Sequence, residues 1–216
     1  MNLPLISSVL LAFALTFLPC RTAPAQSLEG FGFKGGFVSA SAFDNLDDLD
    51  RRNGLAASAF AEWNLLPTAS LVTEVGYAQR GFVETMEERS APGETIQIVE
   101  ANTRLDYLTL PVMVKLQRTT STVTPYLLAG PRLGVLMHRQ PGTFEFTTSE
   151  WESELAAFYE RVAVGGTVGL GLSTGRLLPA RLLVEARYDV DISDSLASVP
   201  RDTRNHALFI AAGITF

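Results

Sequence analysis

Nine charged side chains recur on alternate positions of extended, otherwise apolar segments: Lys34, Glu62, Glu74, Arg80, Lys115, Arg132, Glu185, Arg187 and Asp189. Residues two apart share one face of a strand, so each segment collects its charges on one side. An unpaired buried charge costs several kcal/mol, and these nearly balanced signs suit mutual neutralisation in an ion-pair network. Two chemistries are open to such a cluster. It could line a path for a small ion or a proton, or it could plug an interior and fix strand register. The plug is the expected role, because a narrow interior filled by Arg and Glu leaves little room for solutes.

Other reactive residues are sparse. The two histidines, His138 and His206, have no cysteine or second histidine at metal-ligand spacing. An esterase or acyltransferase would need a nucleophile oriented by histidine, with Ser149 or Ser195 as candidates. No catalytic site is expected from these residues. Asp44, Asp47, Asp48 and Asp50 form an acidic loop without the ligand order, glycine or closing glutamate of an EF-hand. That loop is expected to be solvated, or bridged by divalent cations to lipopolysaccharide, and no metal or other cofactor is expected. In a later loop, Ser149 and Glu152 could form a capping box opening a short helix. Its Trp151, Leu155 and Phe158 would then share a face able to cap a mouth or meet a protein partner.

The segments that must position the charges alternate with period two. Strands are expected near Phe31–Ala40, Leu55–Leu65, Ser70–Gly81, Leu105–Gln117, Val123–Met137, Arg161–Ser173, Leu182–Ile192 and His206–Phe216. Most run about ten residues or more, close to the 9–11 needed to cross a bilayer at a tilt. Connections near residues 65–69, 118–122 and 174–181 are short. Those near 41–54, 82–104, 138–160 and 193–205 are long and polar. Short turns at one end and long loops at the other, with an even strand number, are the layout of an outer-membrane barrel with both termini on the periplasmic side.

The same alternation would suit a soluble eight-stranded barrel turned the other way, with aliphatics inside. In the seventh strand Leu182, Val184, Ala186, Tyr188, Val190 and Ile192 oppose Leu183, Glu185, Arg187, Asp189 and Asp191. The charged faces also carry Gly36, Gly76, Gly130, Gly134, Gly165, Gly169 and Gly171. Glycines weaken an exposed strand but suit a crowded interior shared with long polar chains. The expected arrangement is therefore aliphatics to lipid and charges to the lumen. Pro111 and Pro131 fall within strands, where each removes a ladder donor, so local bulges or bends are expected there.

Residues 5–18 are almost wholly apolar and precede Ala23-Pro-Ala25, which reads as a secretory signal peptide over residues 1–25. The barrel domain would then occupy residues 26–216. Cys20 is the single cysteine, and Pro19 before it disfavours a lipidation site. Its removal with the leader would exclude disulfide scaffolds and thiol chemistry. A formal charge of −6 argues against a nucleic-acid partner. Leu208, Ile210, Ala212, Ile214 and Phe216 share one face of the last strand, and the aromatic at its end belongs at the membrane interface.

Several stretches together resemble the outer-membrane β-barrel family that includes PorT-like proteins. They are Gly32-Phe-Lys-Gly-Gly36, Glu74-Val-Gly-Tyr-Ala-Gln-Arg-Gly81, Leu105-Asp-Tyr-Leu-Thr-Leu-Pro-Val-Met-Val-Lys-Leu116 and Pro125-Tyr-Leu-Leu-Ala-Gly-Pro-Arg-Leu-Gly134. Glu185-Ala-Arg-Tyr-Asp189 and Phe216 complete them. The resemblance implies an all-β, eight-stranded antiparallel up-and-down transmembrane barrel. It also implies insertion by the barrel-assembly machinery, with Phe216 as an assembly signal. Some members of the family take part in protein secretion. A structural or interaction role through the external loops is the expected function, with a narrow pore or transport accessory as the alternative.

Overall fold

Backbone groups facing lipid must be satisfied within the protein, and strands achieve this only by closing into a barrel. The computed structural model has eight strands: β1 (Leu28–Phe43), β2 (Asp50–Leu66), β3 (Ala69–Glu88), β4 (Gln97–Gln117), β5 (Val123–Gln140), β6 (Val162–Thr174), β7 (Arg181–Asp191) and β8 (Arg204–Thr215). Each pairs antiparallel with the next, and β8 pairs with β1, so no edge remains. The structure describes residues 27–43, 50–88, 97–118, 122–140, 162–174, 180–192 and 204–216. Residues 1–25, expected to be a signal peptide, lie outside them, as do Asp44, Asp47, Asp48 and the segment 149–159.

The polarity is inside-out. Phe37 is 71% exposed and Leu170 59%, whereas Arg80 and Glu62 are 1% and 2% exposed. An aliphatic outer wall around a charged interior rules out the soluble-barrel alternative, which requires the opposite. Large side chains fit this narrow interior only where a neighbour is small. The Tyr126 ring lies against Gly171, and the Arg187 stem against Gly169, where any Cβ would collide with them.

Three expectations need correction. The segment 41–54 is not all loop, because β1 runs to Phe43 and β2 starts at Asp50. Nor is 82–104, because β3 and β4 continue pairing out to Glu88↔Gln97. Beyond the membrane an antiparallel ribbon needs backbone pairing but no lipid-facing apolar row, so the hydropathy pattern fades while the strands continue. The prolines cause no bulge either. At Pro111 the β3–β4 ladder passes from Thr73↔Val112 to Gly76↔Thr109, and at Pro131 the β4–β5 ladder passes from Pro111↔Arg132 to Val114↔Ala129. Pairs are skipped while register is kept, since a missing donor interrupts a ladder without requiring an extra residue. Register shifts occur instead between Leu28 and Gly30, Arg51 and Ala56, Asn64 and Leu66, and Asp106 and Tyr107.

At the seam, Phe216 N donates to the Phe31 carbonyl at 2.8 Å, and the two rings lie 5.8 Å apart. This places Phe216 on the outer wall at the short-turn end.

Candidate functional site

The inward charges separate into three layers along the barrel. Nearest the short turns, Lys115 of β4 donates to both carboxylate oxygens of Glu62 of β2, each at 2.9 Å. The ammonium lies 4.6 Å from the Tyr126 ring centroid. Phe60, Val72, Met113, Leu128 and Leu183 form an apolar cluster with Tyr126 at this level.

In the middle layer, Lys34 Nζ reaches Glu74 at 2.7 Å and Glu185 at 3.2 Å. Arg187 Nη2 donates to Glu74 at 2.7 Å, and its Nε bonds Glu185. Tyr126 donates its hydroxyl to the other Glu185 oxygen at 2.9 Å. Lys34 and Glu74 belong to strands separated by β2, and they meet because β2 presents the small Ala56 and Ser58 between them.

The third layer lies toward the long loops. Arg80 pairs with Asp189 and lies 3.9 Å from Asp191, while Arg132 pairs with Asp191 and lies 3.2 Å from Asp189. The Arg80 guanidinium also stacks 5.2 Å from the Phe209 ring. At the short-turn mouth, Arg181 bonds Glu29 at 3.3 Å, and Ser70 donates to the other Glu29 oxygen at 3.1 Å.

All nine charged residues singled out from the sequence therefore lie in the lumen within ion-pair distance of an opposite charge. Two participants lie outside the expected network: Asp191, which the sequence places on the charged face, and Tyr126. Asp191 shares the parity of Glu185, Arg187 and Asp189, and the surplus cation in the original set was its signal. With Asp191 included, each layer is neutral: one charge of each sign in the first, and two of each in the second and third. Tyr126 carried no charge signal. Between the side chains remains a cavity of about 40 Å³, bordered by Lys34, Glu74, Arg132, Arg187 and Asp189. It has room for a few water molecules.

No nucleophile is assembled among the described residues. The letters of a nucleophile elbow do occur, at Gly171-Leu-Ser-Thr-Gly175. Ser173, however, lies within β6, faces the lumen and donates to the Thr124 carbonyl at 3.5 Å, whereas an elbow serine sits exposed on a strand-to-helix turn. His138 and His206 lie at the opposite, long-loop end, where they pair with Asp106 and Val190 respectively. Ser149 and Ser195 are outside the described residues. Among the described residues, no group of three or more His, Asp or Glu could hold a metal ion.

A family model described as outer membrane protein beta-barrel domain matches residues 25–197. The chain belongs to that family. Its place is the cell outer membrane. Among solved structures, Neisserial surface protein A (NspA) is similar over 88% of this chain and 100% of its own, at 17% identity and a TM-score of 0.51. Ail, the attachment invasion locus protein of Yersinia pestis, is similar over the same shares at 17% identity and a TM-score of 0.46. The outer membrane protease OmpT from Escherichia coli covers 90% of this chain and 99% of its own, at 10% identity and a TM-score of 0.46. No curated protein matches the chain. The family establishes the barrel and its membrane, the NspA likeness supports the fold, and the specific role is left to the residues.

Proposed function

We propose that this protein is a closed barrel whose lumen is a plug and whose work is done outside it. It is processed after residue 25, delivered to the barrel-assembly machinery with Phe216 as part of the assembly signal, and then acts structurally or through its long loops on an external protein partner. It performs no catalysis. The observation that carries this reading is the lumen itself: three neutral ion-pair layers with a cavity of about 40 Å³ between side chains. Each layer balances its own charges, so no net fixed charge is left to attract a passing ion.

The PorT-like resemblance adds a finer proposal, a supporting role in protein secretion. It rests on the motifs in β1, β3, β4, β5 and β7, and on nothing in the lumen.

Planar-bilayer recording on the purified, refolded mature barrel tests the plug. The expected result is a bilayer without discrete conductance steps at physiological salt. Reproducible unitary steps, abolished when the barrel is omitted, would overturn it in favour of the narrow, low-conductance pore.

A further inference from the structure

The outer wall carries an arginine pair at the long-loop rim of its apolar band. Arg104 pairs across from Gly81, twelve residues along β3 from the short turn at Ala69. At a typical rise and tilt that is roughly 30 Å, just beyond an apolar band about 25 Å tall. Arg104 therefore lies at headgroup depth on the long-loop side. Its Nε and Nη2 donate to the two Asp106 oxygens at 2.8 and 2.9 Å, and Nη2 also donates to the Tyr77 hydroxyl at 3.2 Å.

Arg52 joins it from β2. The register shift between Arg51 and Ala56 re-aims this stretch, and the Arg52 stem crosses β3 over Gly81. Gly81 has a φ of +137°, and any side chain there would block the crossing. Arg52 Nε then donates to Asn102 at 2.9 Å, and Nη1 reaches the Arg80 carbonyl at 3.4 Å. Gln79 completes the frame, donating to the Tyr77 hydroxyl and accepting from Leu55 N. Two guanidiniums and one carboxylate are thus fixed side by side, with one positive charge in excess among these bonded groups.

Below them the wall is hollowed. The outward positions Ala57, Ala59 and Ala61 of β2 form a row of methyl groups. Phe33 and Phe31 stand opposite Ala59 and Ala61 on β1, while Tyr77 and Val75 stand opposite Ala57 and Ala59 on β3. Phe33, Val75 and Tyr77 are exposed. The trough runs directly into the arginine pair through Tyr77, which lines its upper end and bonds Arg104.

We propose that this wall binds one phosphorylated lipid of the outer leaflet, lipopolysaccharide, with a phosphate on Arg52 and Arg104 and an acyl chain along the alanine row. The guanidinium N–H groups not taken by these bonds can donate to phosphate oxygens, and the surplus charge selects an anion. The bonds to Asp106, Asn102 and Tyr77 hold the donors in place before the lipid arrives. This inference rests on the outer-membrane location and not on a closed lumen, so a conducting barrel would leave it standing.

The test is native mass spectrometry of the folded mature barrel in detergent. The probes are a short-saccharide lipopolysaccharide, the same lipid with its phosphates removed, and phosphatidylglycerol. The expected result is a one-to-one complex with the phosphorylated lipopolysaccharide, weakened at least tenfold by R52Q/R104Q and at least fivefold by A59W, which fills the trough. R118Q, at the short-turn end, should bind like the parent. Equal retention of the dephosphorylated lipid, or unchanged binding by A59W, would overturn the proposal. Equal retention of phosphatidylglycerol would overturn the assignment to lipopolysaccharide. Should R52Q/R104Q fail to show the fast-migrating unheated band of a folded barrel, A59W and the dephosphorylated lipid still decide the question.

Discussion

Changing Glu62 to Gln would leave the Lys115 ammonium buried beneath an apolar cluster with no counter-ion. Both residues are under 10% exposed, and both bonds of the pair measure 2.9 Å. Removing one member of a buried pair costs about 3–5 kcal/mol, because the survivor keeps its desolvation penalty without the Coulombic return. The surroundings (Phe60, Val72, Met113, Tyr126, Leu128 and Leu183) would accept an apolar replacement of both groups. E62L/K115M should therefore recover most of the loss and end within about 1 kcal/mol of the parent, since an apolar swap of a buried pair is often neutral or stabilising. The assay is reversible urea unfolding of the barrel in lipid vesicles, followed by tryptophan fluorescence and gel mobility, with the two single variants and the double variant completing a cycle. A loss below about 1 kcal/mol for E62Q would place the pair in a water-like environment and refute the sealed lower layer. A double variant worse than either single would refute the claim that charge burial, not a specific bond, sets the cost.

D191N should remove about 3–5 kcal/mol by leaving two guanidiniums against Asp189, measured by the same urea titration. G171V should lose about 1–3 kcal/mol or more, or fail to give the fast-migrating unheated band, because the Tyr126 ring occupies the space a side chain needs. L170R, placing a cation on the lipid face, should cost about 2–4 kcal/mol if the site lies near the bilayer midplane. F216A should lower assembly yield in cells and, by losing the ring contact with Phe31, destabilise the refolded barrel by about 0.5–1.5 kcal/mol.

Much of this fold could be read from alternation alone. β6 and β7 differ by a residue or less at each end from the segments marked by their pattern, because lipid on one side and a packed lumen on the other enforce period two along their whole length. The pattern fails where the lipid ends. Residues 82–88 and 97–104 pair beyond the apolar band, where nothing demands an apolar row, so a polar stretch hides their strands. Parity put Glu185, Arg187 and Asp189 on the lumen face, but not which cation each would meet. That depends on stagger around the barrel, which brings Lys34 to Glu74 across β2 and sets Arg80 against Asp189, 109 residues away in sequence. Charge balance carries further information, since the unmatched cation among the nine points to Asp191. The arginine pair on the outer wall had no period to announce it, because the register shift between Arg51 and Ala56 breaks the alternation that would have placed Arg52.

The central claim is a barrel wall facing lipid around a filled, polar lumen, and β6 offers the most direct test because its inward side carries no charge to lose. Single cysteines at Val168, Leu170 and Leu172, and at Ala163, Thr167 and Ser173, would be introduced into the barrel of residues 26–216 and labelled with a small fluorophore. Quenching by brominated lipid would then be read position by position. The account predicts strong quenching at 168, 170 and 172 and weak quenching at 163, 167 and 173. Strong quenching at the second set, or no alternation at all, would contradict it.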